Sequence, residues 1–315
     1  MRFYFAPMEG VAGHIYRNAY HTYFHNIDKY FAPFIVTSPN GIRRMKEFKD
    51  ILPENNKGIR LIPQLLSNNE EDFIQAAKEI EEYGYDEINL NVGCPSGTVT
   101  SKGRGAGLLL KPEELDRFLD RIYQACNMKI SIKTRIGFAK PEEFETILDI
   151  YNTYPLHELI IHPRTREDYY KNSVNFEMFQ YAVHKCRHRL CYNGDIFSYA
   201  DYKRITEMFP EICQVMLGRG ILRNPSIVEN ILEKKDEPDQ NRIYEFHDRI
   251  YGDYKQILSG DKHVLFKMKE IWLYMSCSFG LGQSEKFVKR IKKAKNLYEY
   301  DSVVREWKSS ERFCE

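Results

Sequence analysis

The sequence of 315 residues lacks the cysteine spacing of a zinc site or of a disulfide framework. Its seven cysteines form no Cys-x-x-Cys pair, and their number is odd. Structural zinc sites and small disulfide-rich secreted domains both depend on cysteines paired at short, regular spacing. We therefore expect reduced thiols, no metal site and a cytoplasmic protein.

Long apolar runs and a strong net charge are also missing. No stretch approaches the roughly 18 uncharged apolar residues of a membrane-spanning helix, and the N-terminal residues lack the apolar core of a signal peptide. The 46 basic and 45 acidic residues leave a net charge of +1, so only a local cluster of charge could attract a polyanion. With 43% hydrophobic residues, the chain has the composition of a globular protein rather than of a disordered one.

The chain does have a repeating pattern, in which a short apolar run is followed by a polar turn and then by helical spacing. Eight such runs predict strands, at residues 3–6, 30–37, 60–65, 87–91, 129–134, 159–162, 190–193 and 215–218. Start signals and apolar spacing predict helices at residues 69–83, 112–126, 141–153, 176–187, 198–208 and 225–232. This pattern predicts an α/β fold, a closed (β/α)8 TIM barrel, which typically needs about 250 residues. A doubly wound open sheet is the alternative topology.

A charged segment that contains proline follows residue 233 and indicates a domain boundary. Beyond it the strand signals stop, and apolar residues recur at spacings of three and four. We predict a barrel domain over residues 1–233 and a small all-helical C-terminal domain over residues 241–315. Its expected core residues are Ile243, Phe246, Ile250, Tyr254, Ile257, Phe266, Ile271, Trp272, Met275, Phe287, Ile291, Ala294 and Leu297.

Polar and reactive side chains follow the predicted strands, at the end where a barrel places its active site. The most specific local sequence is Leu90-Asn-Val-Gly-Cys-Pro, which precedes a loop with four glycines and two cations. An ordinary thiol has a pKa of about 8.5, so Cys94 could donate a proton at neutral pH as well as act as a nucleophile. The alternative is that Cys94 packs as a small apolar residue. The other six cysteines lie in apolar or helical runs or at the terminus, and we expect them to be structural.

Two further groups of residues indicate a bound anion or cofactor. Glycines follow the seventh and eighth strands, where barrels commonly bind phosphate, although simple turns would also explain them. Lys133 ends an alternating strand and could compensate negative charge on a cofactor, or could be solvated. His162 could be a core histidine, since no second histidine stands at metal-ligand spacing. No Gly-x-Gly-x-x-Gly follows a strand, which disfavours a Rossmann-type dinucleotide fold.

Eight motifs occur in order over about 215 residues. They are Ala6-Pro-Met-Glu-Gly-Val, Pro63-Gln-Leu, Leu90-Asn-Val-Gly-Cys-Pro, Ser101-Lys-Gly-Arg-Gly-Ala-Gly-Leu-Leu, Ile132-Lys-Thr-Arg-Ile-Gly, Ile161-His-Pro-Arg-Thr, Tyr192-Asn-Gly-Asp-Ile and Leu217-Gly-Arg-Gly. Together they resemble the motifs of the tRNA-dihydrouridine synthase family. The resemblance implies a TIM barrel that binds FMN, followed by a helical domain that helps to hold tRNA.

The resemblance also implies roles for single residues. Cys94 matches the family's proton donor. The residues expected to bind FMN are Pro7, Met8, Glu9, Gln64, Lys133, His162, Asn193, Gly194, Asp195, Gly218 and Arg219. The barrel residues expected to contact RNA are Asn91, Lys102, Arg104 and Arg164. After the His-Pro-Arg-Thr motif the family commonly has Gln before Tyr, whereas here Asp168 precedes Tyr169.

A basic run near the C-terminus adds a second RNA candidate. Residues 286–295 carry six basic residues and no acid, and residues 234–315 as a whole carry 17 basic and 14 acidic residues. The expected RNA contacts there are Lys286, Lys289, Arg290, Lys292 and Lys293. A solvated helix face is the alternative explanation.

The implied reaction is the reduction of the uracil C5=C6 bond of tRNA to 5,6-dihydrouridine. NADPH would reduce FMN, the flavin would give hydride to C6, and Cys94 would give a proton to C5. A small-molecule flavin reductase of the dihydroorotate dehydrogenase kind and a non-catalytic RNA-binding barrel are the alternatives. We expect a monomer. The uridine position, a ribosomal RNA substrate and the choice of NADPH over NADH stay open at this stage.

Overall fold

A computed structural model describes residues 1–39, 45–275 and 283–311. Within these residues, ten strand segments form one parallel sheet. They are β1 (Arg2–Phe5), β2 (Lys29–Phe31), β3 (Ile35–Val36), β4 (Leu61–Ile62), β5 (Gln64–Leu66), β6 (Glu87–Val92), β7 (Lys129–Arg135), β8 (Glu158–His162), β9 (Leu190–Tyr192) and β10 (Gln214–Leu217).

The ten segments make eight barrel strands, because the second and third predicted strands are each interrupted. β2 pairs with β4 and β3 pairs with β5, so the two interrupted strands lie side by side along their whole length. Pro63 separates β4 from β5, and its missing N–H leaves a gap in the ladder. The other pairs run in chain order, and β10 returns to β1. The predicted TIM barrel is therefore confirmed.

Helices follow the strands, and all six helices predicted between residues 69 and 232 are confirmed. The described helices are α1 (His14–Tyr23), α2 (Met45–Ile51), α3 (Glu70–Glu82), α4 (Gly97–Thr100), α5 (Pro112–Ala125), α6 (Glu143–Thr153), α7 (Phe176–Lys185), α8 (Tyr199–Met208), α9 (Arg219–Arg223), α10 (Ile227–Glu233), α11 (Gln240–Ile257), α12 (Asp261–Met275), α13 (Gln283–Lys293) and α14 (Leu297–Glu311). Asn69 caps α3 by accepting a hydrogen bond from the Asp72 N–H at 2.8 Å. Asn175 caps α7 in the same way.

Helix α1 is a helix that the sequence pattern did not predict. It has no acidic residue in its first turn and no side-chain cap, so the usual start signals are missing. Its stability comes instead from buried aromatic side chains, because Tyr16 and Tyr20 are fully covered and each meets the Phe246 ring edge to face.

The barrel interior has an ionic floor below an apolar middle layer. At the floor, the Lys29 ammonium lies 2.8 Å from both carboxylate oxygens of Glu87 and 3.5 Å from Glu158. The Tyr4 hydroxyl donates to the other Glu158 oxygen at 2.8 Å. The middle layer contains Phe31, Ile62, Ile160, Cys191 and Met216. The strand ends above this layer carry the candidate site.

The chain divides into two compact units. One contains Met1–Pro7, Ile27–Asp195 and Lys203–Leu217, and the other contains Met8–Asn26, Ile196–Tyr202 and Gly218–Glu315. The first unit thus contains the barrel strands, and the second contains α1 and the C-terminal helices. The predicted boundary between residues 233 and 241 stays a prediction. Among the described residues, no helix has the length and apolar character needed to cross a membrane.

A buried polar chain lies at the centre of the C-terminal helices. The Trp272 indole N–H donates to the Tyr300 hydroxyl at 2.7 Å, and that hydroxyl lies 2.6 Å from His247 Nε2. His247 Nδ1 faces Asp248 at 2.9 Å, and burial lowers the pKa of His247. A neutral histidine that donates through Nδ1 and accepts through Nε2 satisfies every group in the chain.

Most of the predicted helical core is buried, with two corrections. Phe266 is 60% exposed and Ile257 is 59% exposed. Phe266 continues the spacing of apolar residues along α12, but it lies on the exposed side of that helix. The buried side includes Val264, Leu265 and Met268. Ile257 is the last residue of α11, where the helix leaves the packed core.

Candidate active site

Cys94 lies on a turn that Asn91 holds directly after β6. The Asn91 side-chain oxygen accepts hydrogen bonds from the backbone N–H of Gly93 at 3.0 Å and of Cys94 at 2.9 Å. The Cys94 carbonyl in turn accepts from the Ala106 N–H at 3.1 Å. The thiol is half-buried. An asparagine in this position replaces the next strand hydrogen bonds and fixes the direction of the turn.

A chain of side-chain hydrogen bonds crosses three neighbouring strands and ends at Asn91. Asn89 Nδ2 donates to Ser131 Oγ at 2.9 Å, and Gln64 Nε2 donates to Asn89 Oδ1 at 2.7 Å. Asn91 Nδ2 then donates to Gln64 Oε1 at 2.8 Å. These polar groups are buried and mutually satisfied, so the amide orientations are fixed. Asn89 and Ser131 were not predicted, although each stands two residues before a predicted residue on the same strand face.

Lys133 lies opposite Asn91 in the register of β6 and β7 and is half-buried. Burial, together with the positive charge of Arg135, lowers its pKa to about 8. Among the residues that the structure describes, no carboxylate lies within ion-pair distance of its ammonium. A partly desolvated cation without a counterion is suited to bind an anionic ligand.

Arg135 is a residue of this site that we did not predict. Its guanidinium donates to three backbone carbonyls, those of Gly93 at 3.0 Å, Thr165 at 2.7 Å and Tyr169 at 2.9 Å. It is 1% exposed. These bonds join the Cys94 turn to the loop after β8. Arg135 stands two residues after Lys133 and so shares its strand face, but its partners lie on two loops that are distant in sequence.

His162, Arg164 and Asp195 form one connected group. Arg164 Nη1 lies 3.0 Å from His162 Nε2, and because a guanidinium only donates, that nitrogen accepts. The same guanidinium forms a two-pronged ion pair with Asp195 and donates to the Asn172 carbonyl. Arg164 is 2% exposed. This burial favours a role in holding His162 and Asp195, and its predicted RNA contact stays a prediction.

The loop after β9 approaches its own strand too closely for a side chain at Gly194. A Cβ atom there would lie 2.2 Å from the Tyr192 hydroxyl oxygen. Its neighbour Asn193 is anchored because Asn193 Nδ2 donates to the Met216 carbonyl at 2.8 Å. The position of Tyr192 therefore requires glycine here, and the predicted phosphate contact of Gly194 stays a prediction.

The glycine-rich loop that carries Lys102 and Arg104 is held by Asn68. Asn68 Nδ2 donates to the Lys102 carbonyl at 2.9 Å, and Arg104 Nε donates to Asn68 Oδ1 at 3.0 Å. The Lys102 side chain is exposed and the Arg104 side chain is half-buried. A single asparagine thus fixes both predicted RNA contacts of this loop.

Four predicted cofactor residues belong to the second unit. Met8 and Glu9 directly follow Pro7 in the chain, and the Met8 carbonyl accepts from the N–H groups of Val11 and Ala12. Gly218 precedes α9, and the Arg219 guanidinium lies 5.5 Å from the centre of the Phe197 ring. Met8 and Glu9 thus lie between β1 and α1, and Gly218 and Arg219 lie where β10 ends and α9 begins.

The predicted basic run forms one face of α13. Phe287 and Ile291 are buried, whereas four lysines are exposed. The exposed lysines are Lys286, Lys289, Lys292 and Lys293. Arg290 is half-buried and pairs with Glu306 at 2.6 Å. The helix thus presents a surface of exposed lysines, and the predicted RNA contacts stay predictions.

Four other cysteines lie within the described residues. Burial raises the pKa of Cys126 to about 11 and raises the pKa of Cys186 and of Cys191. Cys213 is exposed. Cys277 and Cys314 lie outside the described residues. Three of the four thus have thiols that are poor sources of thiolate, which agrees with a structural role.

Comparison with known proteins now decides the family. The family model of dihydrouridine synthase (Dus) matches residues 4–302. The chain belongs to the dihydrouridine synthase family. A probable tRNA-dihydrouridine synthase from Staphylococcus aureus (strain COL) is 26% identical over 269 residues, 81% of this chain and 78% of that protein. The tRNA-dihydrouridine synthase B of Pasteurella multocida (strain Pm70) is 25% identical over 285 residues, 86% of this chain and 84% of that protein.

Solved structures outside the dihydrouridine synthases share the fold. Morphinone reductase is 14% identical with a TM-score of 0.51, covering 76% of this chain and 88% of its own. A variant of NCR from Zymomonas mobilis is 12% identical with a TM-score of 0.52, covering 76% of this chain and 90% of its own. At these identities the likeness concerns the barrel fold.

The departure of this chain from the family's usual Gln, at Asp168, has a local explanation. The Asp168 carboxylate accepts hydrogen bonds from the Thr165 N–H at 2.7 Å and from the Thr165 hydroxyl at 2.8 Å. Burial alone would raise the pKa of Asp168, but the bonds from Asn172 and Thr165 outweigh it and lower that pKa. Asp168 thus closes the turn that carries Tyr169 and Tyr170.

Proposed function

We propose that this protein reduces the C5=C6 bond of specific uridines in tRNA to 5,6-dihydrouridine, with FMN as its cofactor and NADPH as the reductant. Its membership of the dihydrouridine synthase family supports the reaction, and so does the activity for which its relatives are named. One observation carries the proposal within the structure. Asn91, which holds the Cys94 turn, pairs with Lys133 in the register of β6 and β7. A thiol and a cation without a carboxylate partner among the described residues therefore lie at the same end of the barrel.

The mouth of the barrel fits the chemistry of a flavin mononucleotide. Lys133 would face the part of the cofactor that becomes negative on reduction, and its charge would stabilise that state. Gln64 has a fixed amide orientation, and His162 is oriented by Arg164, so both could read the polar edge of a planar ring. The backbone of Gly194, next to the anchored Asn193, would approach the phosphate. When bound, FMN supplies the hydride that uracil C6 receives.

Cys94 then completes the reduction as a general acid. Addition of hydride to C6 leaves an electron pair on C5, and the Cys94 Sγ–H bond breaks to give its proton to C5. The product gains one hydride and one proton, and the thiolate recovers a proton from solvent. Asn91 and Arg135 hold the turn so that the thiol keeps its direction.

RNA would bind through the exposed cations around the mouth and on α13. A uridine in folded RNA must turn out of its stack to reach a barrel pocket, which costs a few kcal/mol. Phosphate contacts can offset that cost, and lysines supply them without reading sequence. The exposure of Lys102 and of four lysines on α13 supports this role.

The proposal is tested with the purified protein and with RNA. Wild-type protein should carry or take up FMN, show a flavin absorption spectrum, and form dihydrouridine when given NADPH and tRNA that lacks the modification. Mass spectrometry of tRNA from cells that lack the protein should identify the uridines that lose the modification. Protein that takes up FMN but reduces only free pyrimidines would favour a small-molecule reductase, and protein that binds tRNA without FMN would favour a non-catalytic barrel.

A further inference from the structure

Helix α12 of the second unit holds the segment that directly follows β1 and Pro7 in the chain. The Lys267 ammonium donates to the Gly10 carbonyl at 2.8 Å. Glu270, one helical turn further, accepts from the same ammonium at 2.6 Å and orients it. The Lys267 side chain is 18% exposed, so this charged hydrogen bond is partly shielded from water.

The Gly10 segment is itself tightly folded. Gly10 has a φ of +80°, a backbone conformation that residues with a Cβ atom adopt only with strain. A Cβ atom there would meet Glu270 Oε1 at 3.7 Å, an ordinary contact, so the backbone angle rather than space requires glycine. The Met8 carbonyl two residues earlier accepts two backbone hydrogen bonds. A change at Lys267 or Gly10 should therefore move Met8 and Glu9 with it.

Helix α12 also packs against α9 in the same unit. Helix α9 begins directly after Gly218, the other cofactor residue of this unit. One helix of the C-terminal region therefore contacts both segments of the second unit that are expected to face FMN. Nothing in the resemblance assigns such a contact to α12.

We propose that Lys267 is a positioning residue for the cofactor. Through the Gly10 carbonyl it fixes the segment of Met8 and Glu9, so the C-terminal helical region takes part in FMN binding as well as in RNA binding. This inference rests on the proposed function, because it presumes that the protein binds FMN. Methionine in place of Lys267 would fill similar volume but leave the Gly10 carbonyl without its charged donor.

The test measures FMN affinity of the full-length apoprotein by quenching of flavin fluorescence. We expect K267M to weaken FMN binding about tenfold and to shift the visible absorption bands of the bound flavin. K267R should restore both to within about twofold, since arginine also donates to a carbonyl. Lys262, an exposed lysine on the same helix, provides the matched control, and K262M should bind FMN as the wild type does.

A second variant changes the segment without touching the helix. G10A should weaken FMN binding, shift the same absorption bands and lower the unfolding temperature modestly because of its backbone strain, whereas K267M should unfold close to the wild type. Wild-type affinity and spectrum in K267M would overturn this inference alone. Equal defects in K267M and K267R, together with a lower unfolding temperature, would overturn it in favour of a general packing role. Absence of FMN binding in the wild type would overturn the proposed function and this inference with it.

Discussion

Two lysines point into the same barrel from opposite ends, and their surroundings differ. At the floor, Lys29 lies between the carboxylates of Glu87 and Glu158. At the mouth, Lys133 has no carboxylate within ion-pair distance among the described residues, and burial lowers its pKa to about 8. Both cations are partly or fully removed from water. The charge at the floor is paired within the barrel, whereas the described residues supply no carboxylate to pair with the charge at the mouth.

The same strands produce both environments. Strand β6 begins with Glu87 and ends near Asn91, and strand β8 begins with Glu158 and ends with His162. Because side chains alternate along a strand, each pair lies on the interior face at two depths. Each strand thus changes from a carboxylate at the floor to a neutral hydrogen-bonding group at the mouth. Within the part of the chain that the structure describes, Lys133 therefore has a neutral group from each of these strands near it, and no carboxylate within ion-pair distance.

The comparison predicts that substitution of a reactive residue at the mouth lowers activity without lowering the unfolding temperature. Cys94→Ala should lower dihydrouridine formation by more than about 100-fold, since general acid catalysis contributes roughly 10²–10⁴-fold. FMN affinity and unfolding temperature should stay at wild-type values, because the thiol is half-buried and its turn is held by Asn91. Cys126→Ala is the matched control and should leave activity unchanged. Normal product formation in Cys94→Ala at neutral pH would exclude Cys94 as the acid.

At the floor, loss of the cation should affect stability instead. Lys29→Met removes the ammonium that contacts both carboxylates and leaves Glu87 facing the half-exposed Arg60 at 3.4 Å, which should lower the free energy of unfolding by about 3–5 kcal/mol in urea titration at pH 7. Burial already raises the pKa of Glu158, with Lys29 opposing the shift. A raised carboxyl pKa means that the folded state gains stability as pH falls, so the defect should shrink at lower pH.

An exposed ion pair provides the control for the floor. Lys129 pairs with Asp86 at 2.7 Å, but both side chains are at least half exposed. Lys129→Met should change the unfolding free energy by no more than about 1 kcal/mol. If Lys29→Met unfolds at the same urea concentration as the wild type, the ionic floor does not stabilise the barrel and the contrast with the mouth fails.

The contrast between the two lysines also shows what the sequence could predict. The alternation along residues 129–135 placed Lys133 at an interior strand end, and the motifs placed Cys94 and Gln64 near it. The sequence could not predict that Lys133 has no carboxylate partner among the described residues. That depends on which side chains of the neighbouring strands lie at the same level of the barrel as Lys133. Lys29 was not predicted at all, since Glu87 and Glu158 lie 58 and 129 positions away in the chain. Local patterns predict the strand face, and only the register of distant strands determines the partner.

Arg164 and Arg135 show the same limit within the site. Both follow predicted strands, and Arg164 was expected to contact RNA. The structure buries it against Asp195, while Arg135 binds three carbonyls of two loops. Arginine at a strand end is typical of either role, since the guanidinium suits phosphate and carboxylate alike. Only the folded loops determine which acceptors reach it.

At the mouth, removal of the cation should weaken the cofactor site but not the fold. Lys133→Met should lower FMN affinity about tenfold and leave the unfolding temperature of the apoprotein unchanged or higher, because an unneutralised charge is removed. Fluorescence titration and thermal unfolding of the same samples measure both effects. A lower unfolding temperature and normal FMN affinity in Lys133→Met would contradict this prediction. Lys133 would then be a structural residue, as Lys29 is.

The smallest expected effect is a pH dependence that separates the two lysines. The pKa of Lys133 lies below the ordinary value for lysine, so its positive charge is lost as pH rises through about 8. FMN affinity of the apoprotein should therefore fall by up to about tenfold between pH 7 and pH 9. Lys133→Arg should bind FMN with little pH dependence over this range, because arginine stays charged. If the FMN affinity of Lys133→Arg falls with pH as the wild-type affinity does, the titrating group is another residue. Lys133 would then not be the cation that FMN neutralises.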